Sequence, residues 1–206
     1  MGQASLNIAV FASGNGSNFQ ALLDARKRGV FKAAIALLVC DNPKARVLQR
    51  ARKAQVKVAL VKREDFASKT DFEQEIIRIL KQEKIDLIVL AGFMRLLGGD
   101  LLRAYRNRII NIHPALLPAF KGAHGIADAY AYGVKVTGVT VHFVDEKMDH
   151  GPIILQEAVA IVEGDSLKSL EEKIHAAEHR LYPRAVKLIT EGALKLKGRK
   201  VCVVRK

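Results

Sequence analysis

Short apolar runs alternate with longer amphipathic stretches along the first half of the chain. Four of these runs are nearly continuous in apolar residues, many of them β-branched, which predicts buried strands. The predicted strands occupy residues 6–12, 34–40, 57–61 and 86–91. The helices predicted between them run from Asn18 to about Arg28, from Pro43 to about Ala54, and from a capping-box signature at 70–73 to about Glu83. Strands that alternate with helices in this way predict βαβ units, and therefore an α/β, Rossmann-like fold with a mostly parallel sheet and helices on both faces.

The pattern changes after Ile110. Two strand-like stretches at 136–144 and 152–161 are separated by a loop at 145–151, and they predict either a hairpin or another extension of a mixed sheet. A long helix is predicted from about Ser166 to Thr190, because apolar residues recur there at spacings of three and four. The tail predicts a terminal hairpin that turns at Gly198. No linker or repeat interrupts the chain, so the sequence predicts one domain over residues 1–206.

Composition narrows the functional classes. No apolar run is long enough to span a bilayer, and the N-terminus lacks the basic start and apolar core of a signal peptide, so we expect a cytoplasmic protein with no membrane partner. Cys40 and Cys202 lie in apolar runs without CxxC spacing, which predicts two small core residues. The net charge of +13 is compatible with nucleic acid, an acidic lipid surface or anionic metabolites. The basic residues are scattered and aromatic residues are scarce, which favours anionic small molecules over nucleic acid.

The first candidate site is the glycine-rich turn between the first strand and the first helix. Such a turn lets backbone N–H groups and a helix N-terminus converge on an anion, as phosphate binding requires. A dinucleotide fingerprint would need a glycine where this chain has Phe19, and the Gly-Lys-Ser/Thr of a P-loop is absent. A tight turn with a helix cap would explain the same composition. The candidate phosphate-binding residues are Gly14, Asn15, Gly16, Ser17 and Asn18.

The second candidate site lies where a strand ends in the motif AsnIleHisPro. Asn111 and His113 are two residues apart, so in a strand their side chains point to the same side. An amide donor beside an imidazole of near-neutral pKa suits acid–base chemistry, although a His-Pro pair alone is more often structural. The 145–151 loop contains Asp149, which could stabilise the charged form of His113; by itself it is an ordinary polar loop.

A third motif, HisAlaAlaGluHis at 175–179, matches an inverted zinc-protease helix. Two histidines four residues apart could share a metal, but the only downstream glutamate is Glu191, on a short tail. We therefore expect no metal, and keep Glu178 as a possible polar contact of the pocket.

Four ordered motifs together resemble those of the folate-dependent phosphoribosylglycinamide formyltransferases of purine synthesis. The resemblance covers almost the whole chain. It rests on residues 12–18, 91–97, 111–118 and 141–154. The family implies a single formyltransferase domain, with a phosphate-binding N-terminal half and folate and catalytic loops in the C-terminal half. It also implies transfer of the formyl group of 10-formyltetrahydrofolate, a co-substrate, to the amine of glycinamide ribonucleotide, by a monomer or homodimer.

The resemblance also implies a role for each matching residue. Asn111, His113 and Asp149 would be the catalytic trio, with Asn111 also facing the folate. His142 and Glu178 would lie near the glycinamide and its ribose. The remaining folate-binding residues would be Lys69, Met94, Arg95, Leu96 and Leu97.

Four other hypotheses about the function remain open on the sequence alone. Methionyl-tRNA formyltransferase would be expected to carry a further C-terminal domain, and formyltetrahydrofolate hydrolase a further N-terminal one. A nucleotide- or RNA-binding module would use the basic face and would not need His113. A metalloprotease would need a metal at 175–179.

Overall fold

The structure, a computed structural model, describes residues 6–204; the polar lead expected before the first strand lies outside the described residues. Contacts divide the chain into two compact units, 1–110 and 111–206. The single domain predicted over 1–206 therefore stays a prediction, and each unit is described by itself.

The first unit contains the predicted alternation of strands and helices. Its strands are β1 (Asn7–Phe11), β2 (Ala34–Cys40), β3 (Lys57–Leu60) and β4 (Leu87–Leu90). Its helices are α1 (Ser17–Lys27), α2 (Val47–Lys53), α3 (Lys69–Gln82) and α4 (Gly99–Ala104), with a short 3-10 turn at Arg63–Asp65. β1 pairs in parallel with both β2 and β4, and β2 pairs in parallel with β3. The chain reverses its direction of travel across the sheet at β1, and ligands bind beside such a switch point in parallel sheets.

This topology determines where the helices pack. Parallel crossovers are right-handed almost without exception, so the connections through α1 and α2 lie on one face of the strands and the return through α3 lies on the other. The strand interiors are accordingly apolar on both sides: Ile8 to Phe11 and Leu37 to Cys40 are almost fully buried.

The second unit is built on an antiparallel hairpin and one long helix. Its elements are the end of β5 (Ile109–His113), α5 (Gly125–Tyr132), β6 (Val136–Phe143), β7 (Ile153–Ala160), α6 (Leu167–Thr190), β8 (Leu194–Lys197) and β9 (Lys200–Val203). β6 and β7 pair antiparallel, which decides the alternative left open by the sequence in favour of a hairpin. The stripe of α6 is buried at Leu170, Ile174, Ala177 and Leu181, and this helix packs on β6 and β7.

The main sheet has seven strands in the order β3-β2-β1-β4-β5-β6-β7, and β8 and β9 form a separate two-stranded sheet. The predicted α/β fold with a mostly parallel sheet is confirmed. None of the helices within residues 6–204 has both the length and the apolar character needed to cross a membrane.

Three local predictions are wrong. Pro43 does not open a helix: Asn42 accepts a hydrogen bond from Lys44 N through its side chain, which holds a turn, and α2 begins at Val47. The cap of α3 is Ser68, whose Oγ accepts from Asp71 N at 3.0 Å, rather than the residues at 70–73. Cys40 is buried, but Cys202 is exposed, because it belongs to the two-stranded β8–β9 sheet.

Candidate active site

The glycine-rich turn of the first unit has the geometry of an anion site. Gly16 caps α1 with φ 74° and ψ 32°, and no side chain within residues 6–204 hydrogen-bonds to this helix end as a cap. The N–H groups of a first helical turn have no intrahelical acceptor, and the helix dipole is positive at this end. Ser17 and Asn18 begin the helix, so the turn offers N–H donors where the sequence placed a phosphate.

Helix α2 holds this turn in place. Val47 N donates to Gly14 O at 3.1 Å, and Arg50 Nε donates to Asn15 O at 2.9 Å. Arg50 also reaches the Asn15 side chain at 3.3 Å. A Cβ on Gly16 would lie 2.5 Å from Val47 Cγ2, so the close approach of α2 requires a glycine there.

Ser13 links this turn to the segment that follows β4. Its N–H donates to Gly92 O at 2.9 Å, and its hydroxyl accepts from Met94 N at 3.1 Å. The same hydroxyl donates to Asp41 Oδ1 at 2.6 Å, and the other oxygen of Asp41 accepts from Arg95 Nε. The phosphate-binding turn and the predicted folate segment are thus joined within the first unit.

The folate segment, residues 94–97, has side chains available for a ligand. Met94 and Leu96 are 74% and 67% exposed, which is unusual for apolar side chains of this size in one short segment. The segment ends at Gly98, whose N–H donates at 2.5 Å to the buried carboxylate of Glu73. Lys69 lies one turn before Glu73 on α3, and its ammonium group is 3.8 Å from the same carboxylate.

A cavity of about 590 Å³ opens beside this segment. It is lined by Ser13, Asp41, Asn42, Pro43, Lys62, Arg63, Glu64, Met94 and Arg95. Its three cationic side chains are accompanied by two carboxylates, because Asp41 pairs with Arg95 and Glu64 pairs with Lys62, so the lining is mixed in charge with a small cationic excess.

The second unit brings two members of the predicted trio, His113 and Asp149, into contact. His113 is 3% exposed, its Nδ1 lies 3.5 Å from Asp149 Oδ2, and its Nε2 lies 2.8 Å from Phe120 O. Gly122 N donates to Asp149 Oδ2 at 2.9 Å. Both ring nitrogens of His113 therefore face oxygen atoms that can accept a hydrogen bond.

His142 joins Asn111 to this cluster. The Nδ1 of His142 donates to Phe143 O at 2.8 Å, so in the neutral ring Nε2 is an acceptor and receives a hydrogen bond from Asn111 Nδ2 at 3.3 Å. Asp149 Oδ1 lies 3.7 Å from the same Nε2. Burial lowers the pKa of His142 below its ordinary value, and this outweighs the opposing effects of the Phe143 carbonyl and Asp149. His142 is thus a neutral acceptor that orients the Asn111 amide.

Glu178 makes its described contact elsewhere. Its Oε2 lies 3.0 Å from Nδ1 of His175, and this hydrogen bond raises the pKa of His175. His175 and His179 stack with ring centroids 6.5 Å apart. Among residues 6–204, no group of three or more His, Cys, Asp or Glu side chains is arranged to hold a metal ion.

Several residues that shape these sites were not found from the sequence. Asp41 follows a strand at its carboxyl end, and that position could have pointed to it. Glu73 belongs to the capping-box signature at 70–73, which indicates a helix cap and gives no sign of its contact with Gly98. Phe120 and Gly122 act through backbone atoms, for which residue type gives no signal.

Comparison with known proteins places this geometry in a family. The formyl transferase family model matches residues 6–186. Phosphoribosylglycinamide formyltransferase of Bacillus subtilis is 50% identical over 179 residues, which cover 87% of this chain and 92% of that protein. Glycinamide ribonucleotide transformylase 1 of Symbiobacterium toebii superposes with a TM-score of 0.96 at 43% identity, over 98% of this chain and 96% of that one. The corresponding structure from Geobacillus kaustophilus has a TM-score of 0.88 at 53% identity, over 90% and 99% of the two chains. The chain belongs to the formyl transferase family.

Proposed function

We propose that this enzyme transfers the formyl group of 10-formyltetrahydrofolate to the amine of 5′-phosphoribosylglycinamide, a step of de novo purine (IMP) biosynthesis. The observation that carries the proposal is the cluster of Asn111, His113, His142 and Asp149 in a chain whose relatives bear the names of this activity. We place the reaction in the cytoplasm, catalysed by a monomer or homodimer.

The two substrates are anionic, and the first unit supplies cations and N–H donors for both. The N-terminus of α1, from Gly14 to Asn18, binds the phosphate of the ribonucleotide. Residues 94–97 receive the folate, with Met94 and Leu96 against its rings and backbone groups toward the pterin. Lys69 and Arg95 neutralise its carboxylates, each being already held by an acidic neighbour. His142 would act on the glycinamide by orienting Asn111, and Glu178 would have to leave His175 to contact the ribose.

The chemical step is a direct attack on the formyl carbon. The amine nitrogen forms a bond to that carbon, and the carbonyl electrons move to oxygen to give a tetrahedral oxyanion. Asn111 donates to this oxyanion from the second hydrogen of its amide nitrogen, since His142 takes the first. The oxyanion then collapses and expels N10, which takes a proton from His113, and the imidazole left neutral takes up the proton that the attacking nitrogen loses. No covalent bond to the enzyme forms.

His113 and Asp149 supply the positive charge and the proton. Asp149 stabilises an imidazolium from the Nδ1 side, and that cation stabilises the oxyanion beside it. For His113 to give a proton to N10, its Nε2–H must leave the carbonyl of Phe120. We therefore expect residues 119–122 to move as the substrates bind.

The test follows formyl loss from 10-formyltetrahydrofolate by absorbance, with and without the ribonucleotide. Wild type should turn over only with the ribonucleotide, and His113→Ala and Asp149→Asn should lower kcat roughly 10²- to 10⁴-fold, the usual contribution of a positioned acid or base. Glu146→Gln is the matched control for the second variant, because it neutralises an exposed carboxylate on the same loop.

Three results would contradict the proposal. Equal turnover without the ribonucleotide would identify a hydrolase. Full activity of His113→Ala would show that the cluster takes no part in the chemical step. Folded protein that is inactive under both conditions would exclude formyl transfer and would favour the hypothesis of a nucleotide- or RNA-binding module.

A further inference from the structure

The loop that carries Asp149 depends on restraints from outside itself. Residues 144–152 connect β6 to β7, and Asp149 has a φ of 48°, in the left-handed region that few residues with a side chain adopt, Asp and Asn more often than others. A residue keeps such a conformation only where its surroundings fix it. Gly122 N–H donates to the Asp149 carboxylate at 2.9 Å, and the adjoining residue, His150, is held by contacts of its own.

Arg199 reaches His150 from the far end of the chain. Its Nη2 donates to His150 O at 2.6 Å, and its Nη1 lies 3.2 Å from both ring nitrogens of His150. The guanidinium group therefore contacts the residue next to Asp149 on both its backbone and its side chain.

The contact continues across the loop. Nδ1 of His150 lies 2.9 Å from Asp145 Oδ2, and Asp145 Oδ1 accepts from Lys147 N at 3.0 Å. With Nδ1–H donating to Asp145, the neutral ring leaves Nε2 as an acceptor for Arg199. One chain of polar contacts thus runs from Arg199 through His150 and Asp145 to Lys147.

The terminal hairpin places Arg199 where it can make these contacts. β8 and β9 pair antiparallel, with Lys197 opposite Lys200, so Gly198 and Arg199 form a two-residue turn. Gly198 has a φ of 58°, which this tight turn requires and a glycine readily adopts. β9 packs on β7, and the contacts of Arg199 with His150 place this turn beside the 144–152 loop.

We propose that Arg199 is a positioning residue for catalysis: through His150 it holds the carboxylate of Asp149 beside the imidazole ring of His113. The proposal rests on the proposed function, since it requires Asp149 to act in the chemical step. The fork of the guanidinium group makes the contact specific, because one side chain bonds a carbonyl and a ring at once; a lysine offers a single point charge instead.

A double-mutant cycle tests the proposal in the full-length enzyme. Arg199→Ala should lower kcat roughly tenfold, because displacement of a catalytic group by a fraction of an ångström has effects of this size. Arg199→Lys should not restore kcat. Lys200→Ala, on the same hairpin and equally exposed, is the matched control and should match wild type.

The deciding measurement is Arg199→Ala in an Asp149→Asn background. If Arg199 acts through Asp149, its removal there should change kcat less than twofold, since residues that act as a unit are not additive. An equal loss in both backgrounds, or no loss in the wild-type background, overturns the inference. Wild-type kcat in Asp149→Asn alone would show that Asp149 takes no part in the chemical step, and would overturn the inference while leaving formyl transfer standing; turnover that does not need the ribonucleotide would overturn the proposed function instead.

Discussion

Gly16 offers a sharp test of how the phosphate-binding turn is built. Two separate penalties attach to Gly16→Ala. The φ of 74° is left-handed, which costs a residue with a Cβ about 1–2 kcal/mol. The new Cβ would also lie 2.5 Å from Val47 Cγ2 and 2.7 Å from Val47 Cβ.

The overlap cannot be relieved by a rotamer change. Val47 Cβ is itself within the overlap, and Val47 is fully buried at the first turn of α2, so the helix or the turn must shift. Overpacking of a well-packed site typically costs about 1–3 kcal/mol. The two penalties together lower the free energy of unfolding by about 2–5 kcal/mol, a large share of the roughly 5–15 kcal/mol of a typical domain.

Gly14→Ala is the matched control. A Cβ at Gly14 meets no atom within 4 Å, and Gly14 is not among the glycines with positive φ. This substitution should leave stability unchanged or raise it by about 0.4–1 kcal/mol, because it restricts the unfolded chain.

The assay is urea unfolding of both variants, together with KM for the ribonucleotide. Gly16→Ala should unfold at lower urea than Gly14→Ala, with a thermal midpoint lower than that of wild type by at least about 4 °C. KM should rise in Gly16→Ala because the N–H donors are displaced. Equal unfolding midpoints would refute the described packing of α2 on the turn, and a stability loss without a change in KM would refute the assignment of the phosphate.

Three further predictions concern the folate segment, pH and salt. Glu73→Ala should lower the free energy of unfolding by about 1–3 kcal/mol in urea melts, because Gly98 N–H loses its buried acceptor, and KM for the folate should rise. The hydrogen bond to Glu178 raises the pKa of His175, so its contribution to stability is complete below the unfolded pKa and is lost as pH rises through the folded value. Wild type should therefore exceed His175→Ala in unfolding free energy by more at about pH 5.5 than at about pH 8; an equal difference at both would refute the ion pair. KM for both anionic substrates should rise between about 0.05 and about 0.5 M salt, since the net charge of +13 attracts them, and a flat salt profile would exclude steering by that charge.

The parallel half of the fold could be predicted from the sequence because buried strands carry a strong signal. β2 was predicted at 34–40 and is found there, since a strand covered on both faces is continuously apolar. α4 and α5 were missed, being only 6 and 8 residues long and thus too short to show a helical period. The start of α2 was missed because Pro43 suits a turn as well as a first helical turn.

The candidate site likewise contains some residues that the sequence could predict and others that it could not. Asn111 and His113 could be proposed together, because a period of two is a property of any strand. Phe120, which contacts His113 through its carbonyl, could not be found, since every residue has a carbonyl. Arg199 lies 49 residues from His150, and no local pattern predicts a contact at that separation.

The buried position of His113 gives a physical reason for the backbone contacts of segment 119–122. A polar group that is 3% exposed is costly to bury unless it has polar partners; the Phe120 carbonyl accepts a hydrogen bond from His113, and the Asp149 carboxylate lies 3.5 Å from its other ring nitrogen. In the same way, the N–H group of Gly122 donates a hydrogen bond to the carboxylate of Asp149. In the proposed mechanism, substrate would exchange one set of hydrogen bonds for another instead of creating the first set. In the proposed mechanism it is therefore this segment, rather than the buried histidine, that must move before Nε2 of His113 can reach a bound ligand.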